Sequence, residues 1–451
     1  MNNVRANNEN IVIRVPNLPL LVDSLSTVIL KVYDHLKEVK FLENPWLFEA
    51  HLKIKDREEL ESALVNRLES GIRKYREMKV VPVTVGSSGD TAKFGNLFKE
   101  LGLQFAEGKV YEKFEKLCGA LLSKYKGRIL DLLSSEWDVD VSKFKVEIKL
   151  KGMPRKLLKL PSIIRSINVY EMGRFSGLRD VKPKGSASKA LFDVRADLNW
   201  WLLSHILLTI SMTHLERFQR GRTLEEILTY VHFEPIRGIR YSYIDLKCYL
   251  EIFEAIEENV KKNGLFVEDP EFARLSLILW AYHKASSPFT YAKIGGNLKI
   301  RRIKLAGQRM QETYIETLPA GEITLLDARL GQMFGENALT IAEKTAKLAN
   351  MLQRLIREYE KIASELKLMR LAVLYKSFLR SFTEPGYATT SELLYEIQRF
   401  LETEDWRNRF IGVLTTQLKR EGFKDDEAQN EVYKILDIIK GIMAEVTSKI
   451  I

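Results

Sequence analysis

Ile11 to Val15 reads as a short strand, and directly after it the period changes. From Leu18 to Val39 the apolar residues Leu21, Leu25, Val28, Val32 and Leu36 recur at steps of three or four, one face of a helix. Trp46 to Ile54 returns to strand-like alternation, and Arg57 to Met78 is helical again, with charged residues opposite its apolar side. Val80 to Val85 is a β-branched run closed by the turn cluster Gly86-Ser87-Ser88-Gly89, and helices are predicted over most of Thr91 to Leu133. Phe144 to Leu150 alternates strictly. Phe144, Val146, Ile148 and Leu150 take one face and Lys143, Lys145, Glu147, Lys149 and Lys151 the other, which predicts a half-buried strand with a cationic face.

Gly173 to Ser188, rich in Gly, Ser, Lys and Arg, reads as an extended, mobile loop. Helical spacing returns at Phe192 to Arg217 and at Leu224 to Val231. Tyr241 to Ile244 reads as a strand, Leu246 to Val260 as a helix and Glu271 to His283 as a buried helix. Gly295-Gly296-Asn297 has the composition of a hairpin turn, with Tyr291 to Ile294 and Leu298 to Leu305 as its arms. From Glu336 onward the stripes are helical: Ile341, Leu348, Leu352, Leu355, Tyr359, Ile362 and Leu366 first, and Val432, Ile435, Leu436, Ile439 and Met443 last. Pro385-Gly386 interrupts them, and Thr389-Thr390-Ser391-Glu392 forms a capping box. The predicted class is α+β, a mixed α/β N-terminal body followed by a predominantly helical C-terminal bundle. Three regions follow: 1–142, the α/β region; 143–335, a basic strand, loop and helix region with a basic hairpin; and 336–451, the bundle.

Charge changes the picture most. The chain carries a formal net charge of +10. Lys143 to Lys189 alone holds 13 Lys or Arg against Glu147, Glu171 and Asp180, a net of +10. Lys293 to Arg309 holds six cations and no acid, so the remainder of the chain nets −6. Solvated faces usually mix signs, whereas concentrated positive charge seeks a polyanion. The candidate nucleic-acid contacts are Lys149, Lys151, Arg155, Lys156, Arg174, Arg179, Lys182, Lys184 and Lys189, with Lys299, Arg301, Arg302 and Lys304 in the second segment. Phe175, with Tyr170 nearby, has the chemistry to stack on bases or wedge a duplex, and equally to anchor the loop to the core. Residues 341–451 hold 18 basic and 17 acidic residues, which suits protein contact better than a polyanion.

Two cysteines, Cys118 and Cys248, are too few for a disulfide framework and point to a cytoplasmic protein. Met1 to Asn10 is polar and lacks a signal core. The apolar run near Trp200 to Met212 is interrupted by Ser204, His205, Thr209 and Ser211 and falls short of the ~20 residues of a membrane span. It predicts a buried helix and no membrane partner.

Catalytic signals are sparse. The histidines (His35, His51, His205, His214, His232 and His283) show no metal-ligand spacing. Val85 to Thr91 lacks the ending of a phosphate-binding P-loop; it reads as a strand-to-helix turn, with a phosphate contact as the other reading. Asp193 and Asp197, one helical turn apart, have the chemistry to hold magnesium, or to pair with Arg195 or Lys189, or to cap a helix. No cofactor or bound metal is expected. The composition therefore favours a non-enzymatic nucleic-acid-binding protein. Its rivals are a metal-dependent nuclease or nucleotidyl-transfer protein of a mobile element, using Asp193 and Asp197, and a structural protein that packages nucleic acid.

A mixed α/β body comes first. A run from Phe175-Ser176-Gly177-Leu178-Arg179 through Lys182-Pro183-Lys184-Gly185 then leads to Trp200-Trp201, and a helical end follows. In this layout the chain resembles the large subunit of the archaeal type I-A CRISPR interference complex, Cascade. The resemblance implies recognition of a short motif in double-stranded target DNA, opening of the duplex beside it, and no catalysis by the subunit itself. It implies guide RNA, other Cascade subunits and a helicase–nuclease as partners, with Arg174, Arg179, Lys182 and Lys184 on the duplex. No HD or polymerase-type cyclase motif occurs, which separates the chain from the catalytic large subunits of other CRISPR types.

Overall fold

The computed structural model describes residues 10–43, 47–81, 95–104, 108–142, 145–150, 157–159, 193–220, 223–265, 270–284, 295–306 and 309–340, with scattered positions between 342 and 437. The class is mixed α+β, as the periodicities predict. Two compact units divide the chain: Met1–Leu250 with Tyr291–Thr317, and Glu251–Thr290 with Leu318–Ile451. This division cuts across the 143–335 region drawn from composition.

The first unit opens β-α-β-β-α: β1 (Asn10–Pro16), α1 (Pro19–Lys31), β2 (Leu36–Glu43), β3 (Leu47–Ile54) and α2 (Arg57–Met78). The strands form an antiparallel sheet in the order β1-β3-β2-β10, closed by β10 (Arg240–Ser242). One face is apolar and buried: Ile11, Ile13 and Val15 lie opposite Leu52, Ala50 and Phe48. Helix α1 starts on Pro19, whose missing N–H is no loss in a first turn, and every residue from Leu20 to Leu30 is buried. Asp56 caps α2, its Oδ1 accepting from the N–H groups of Glu58 and Glu59 at 2.9 Å. Lys79, in the left-handed region at φ 51°, ends it.

Helix α2 packs on α3 (Val110–Lys124) and α5 (Leu198–Ser211). Gly71 permits the second contact, because a Cβ there would lie 2.7 Å from Ile210 Cγ1 and 3.3 Å from the Ile206 carbonyl. Buried Glu61 caps α4 (Ile129–Leu133) by accepting from the Ile129 and Leu130 N–H groups. A second antiparallel sheet runs β12-β11-β9-β8, from β8 (Met212–Arg220), β9 (Thr223–Pro235), β11 (Gly296–Ala306) and β12 (Arg309–Pro319). A third runs β4-β5-β7-β6, from β4 (Trp137–Ser142), β5 (Lys145–Leu150), β6 (Leu158–Lys159) and β7 (Asp193–Ala196).

The second unit takes up α6 (Tyr243–Asn263) from Glu251 and adds α7 (Pro270–Lys284) and α8 (Ala320–Phe334). Glu271 accepts from Lys376 at 2.7 Å and Arg380 at 2.5 Å, and Asn259 donates to Asn350 at 3.1 Å. The expected C-terminal bundle, including Thr389 and Thr390 of its capping box, falls largely outside the described residues.

Several sequence readings need correction. Helix α1 ends at Lys31, and Leu36 begins a strand. A bulge between Leu36 and Glu38 puts Leu36 and Val39 on the same buried face three residues apart, which imitates helical spacing. Leu224 to Val231 belongs to strand β9 and not to a helix. Leu228 through Phe233 are all buried, so both faces of this strand are covered and the alternation disappears. Similarly, the Phe192 to Arg217 helix is only α5, with β7 before it and β8 after it. Gly296 and Asn297 are no hairpin turn: they pair with Pro235 and Glu234 inside β11. Gly296 is small because a Cβ would stand 3.0 Å from the Tyr249 ring and 3.3 Å from the Phe233 ring.

Candidate nucleic-acid interface

Of the long basic segment, Lys145–Leu150 and Leu158–Lys159 lie in the third sheet. Strand β5 pairs antiparallel with β4 and parallel with β7, and β6 pairs antiparallel with β7. Lys159 on β6 lies in register with Arg195 on β7. The stretch 160–192 therefore leaves the sheet on one strand and returns on its neighbour. That stretch carries Arg165, Arg174, Arg179, Lys182, Lys184 and Lys189 against Glu171 and Asp180. Of the candidate contacts, Lys151, Arg155, Lys156, Arg174, Arg179, Lys182, Lys184, Lys189 and the ring of Phe175 lie outside the described residues, as does Val85 to Thr91.

What the sheet fixes is the return. Asp197 caps α5, its Oδ1 accepting from Asn199 N–H at 2.8 Å and Trp200 N–H at 3.1 Å, and its own N–H donates to the Ile148 carbonyl at 3.2 Å. Trp200 is fully buried edge-on against Trp137, with ring centres 4.8 Å apart. Trp201 stacks on Phe114 at 5.6 Å and meets His205 at 4.4 Å. The paired tryptophans thus lock the helix onto the core. The expectation that Asp193 and Asp197 stand one helical turn apart fails: Asp193 is in β7 and Asp197 is the cap. Capping, the bland alternative for Asp197, is what the structure shows.

Strand β5 corrects the predicted cationic face. Lys149 pairs with Glu147 at 2.7 Å and lies in register with Asp138, while Glu147 lies in register with Asp140 and Arg195. The hydrogen bond to Glu147, with Asp140 and Asp138 adding, holds the Lys149 ammonium above its ordinary pKa. The strand read alone looks cationic; its neighbour β4 brings acids to the same face.

The second basic segment is also corrected. Arg301 is 2% exposed, its guanidinium donating to Asp23 at 2.8 Å and Glu312 at 3.0 Å. Burial alone would lower its pKa, but the two carboxylates outweigh burial and raise it. Arg302 pairs with Glu216, and both are buried. Lys299 pairs with Glu234 and stands 3.6 Å from Asp23; Lys304 pairs with Glu225 at 2.8 Å. These four cations are neutralised inside the fold because β8, β9, β12 and α1 supply the acids that β11 lacks. His232, beside this cluster, is held well below its ordinary pKa by burial, with Arg301 and Lys299 adding.

Among the described residues no group of three or more His, Cys, Asp or Glu is placed to hold a metal ion. No described helix is long and apolar enough to cross a membrane. No protein-family model matches the chain, and no curated protein matches it.

Proposed function

We propose that the protein is a non-catalytic DNA-binding subunit of an RNA-guided interference complex, of the type I-A Cascade large-subunit kind. It would recognise a short duplex motif and help open target DNA beside it. The observation that carries this reading is the charge of Lys143 to Lys189, +10 net, in a chain whose other basic segment has four of its six cations paired inside the fold. Phosphate contacts from such a segment give sequence-independent affinity, and a few side chains add readout. Guide RNA, neighbouring Cascade subunits and a helicase–nuclease are the proposed partners, and the cytoplasm the proposed location. The metal-dependent nuclease reading loses its best support, since Asp197 serves as a helix cap.

The test is isolation of the tagged full-length protein from its native cells. Small CRISPR-derived RNAs and several fixed protein partners should co-purify. A protein that returns alone, or that cleaves DNA with magnesium or manganese in an Asp193-dependent manner, would overturn the reading.

A further inference from the structure

We infer that the partly exposed face of the first sheet is a docking surface for single-stranded nucleic acid, distinct from the segment Lys143 to Lys189. The inference names a second surface and does not depend on duplex binding. In β1, β2 and β3, buried residues alternate with partly exposed ones, so one face is core and the other reaches solvent, fully at Asn10 and Lys53 and in part elsewhere. Residues directly opposite one another across strands share a face. One rung of the partly exposed face runs Arg240–Lys40–His51–Val12, three basic side chains in succession. The next runs Ser242–Glu38–Lys53–Asn10, and the third places Leu42 and Arg14 opposite Glu49.

Like charges opposite one another destabilise a sheet, so Arg240 opposite Lys40 works against the fold's own stability. Its acids only partly offset it. Glu49 is taken by Arg14 at 2.9 Å and His51 at 2.8 Å, and Glu38 stands 3.7 Å from Arg240, itself 70% exposed. Lys40 and Lys53 have no ion-pair partner among the described residues. A polyanion laid across the strands would relieve this repulsion. A single strand fits better than a duplex, because the face is a partly exposed antiparallel sheet, whereas reading a duplex groove needs an element that enters it. The His51 ring, 41% exposed at the centre of the sheet, adds a stacking surface.

The test uses full-length protein carrying Lys40→Gln, Lys53→Gln and Arg240→Gln together. Its affinity for short oligouridylate, the matching single-stranded DNA and a duplex of equal length is followed across a salt series. Single-strand affinity should fall, with the slope of log affinity against log salt reduced by about 0.7 for each phosphate that the variant no longer engages. Duplex affinity should hold, and the melting temperature should hold or rise as repulsion is removed. Weaker binding of either the ribose or the deoxyribose strand supports the inference, and the ratio of the two effects identifies the preferred strand. Unchanged single-strand binding, or an equal fall for the duplex, overturns it. Should the triple variant fold poorly, lysine acetylation of the unmodified protein decides: saturating oligouridylate should shield Lys40 and Lys53, and full reactivity of both refutes the assignment. Failure here leaves the duplex-binding proposal standing, since that proposal rests on other residues.

Discussion

Arg301 shows how far a residue's type can mislead about its work. From sequence it is one of six cations without an acid nearby; in the fold it lies between Asp23 and Glu312, from elements hundreds of positions and one strand away. Only tertiary contact supplies those carboxylates, so no local signal shows them. The same holds for Lys149, whose acidic neighbours Asp138 and Asp140 come from the partner strand. Arg301→Met should therefore act on stability rather than on DNA. Among the described residues it leaves Asp23, 2% exposed, with only Lys299 at 3.6 Å, and breaking a buried pair from one side costs about 3 kcal/mol or more. Urea unfolding should show that loss, and Asp23→Leu added to Arg301→Met should recover part of it. Folded Arg301→Met should bind DNA as before. A variant of normal stability that has lost DNA binding would return Arg301 to the interface.

Elements are legible in the sequence where one periodicity runs uninterrupted. Helix α2 begins and ends where its spacing predicts, at Arg57 and Met78, and β1 and β3 lie within a residue of their predicted bounds. The misreadings share one cause, that burial on two sides or a bulge erases the two-residue period, as in β9 and β2. Helix α5 is legible as a buried helix, and its burial has a consequence at low pH. His205 sits on it between Trp201 and Phe114, and burial pushes its pKa down to about 3 from 6.5. Between those values the unfolded chain binds a proton that the folded chain excludes. Stability is therefore complete above the ordinary histidine pKa and falls as pH drops below it, by roughly 1.4 kcal/mol per pH unit. Other histidines titrate as well, so the variant isolates this one. His205→Phe should flatten the fall in melting temperature between about pH 7 and about pH 5 relative to the parent. Equal slopes for both proteins would show that His205 is protonated in the fold.

For the proposed DNA binding, the distribution of charge over the chain says where to look. Of the two basic segments, the one at Lys293 to Arg309 has its four candidate contacts paired within the second sheet and with α1. In Lys143 to Lys189 the described strand β5 meets Asp138, Asp140 and Glu147, while by sequence 160–192 holds six cations to two acids. The sheet that anchors both ends of that stretch is only half legible in the sequence, because β6 and β7 are short and the partners β5 and β7 lie far apart along the chain. Long-range pairing of short strands leaves no local periodicity to read. On this distribution, duplex affinity should depend on salt through Arg174, Arg179, Lys182 and Lys184. Each phosphate contact contributes about 0.9 to the slope of log affinity against log salt, so neutralising all four should lower it by up to roughly 3.6. Neutralising Lys299 and Lys304 instead should leave the slope unchanged, since both are held by Glu234 and Glu225. Filter binding or fluorescence anisotropy across a salt series measures both. A full slope in the quadruple variant, with its circular dichroism intact, would move the duplex site away from this segment and remove the main support for the interference-complex reading.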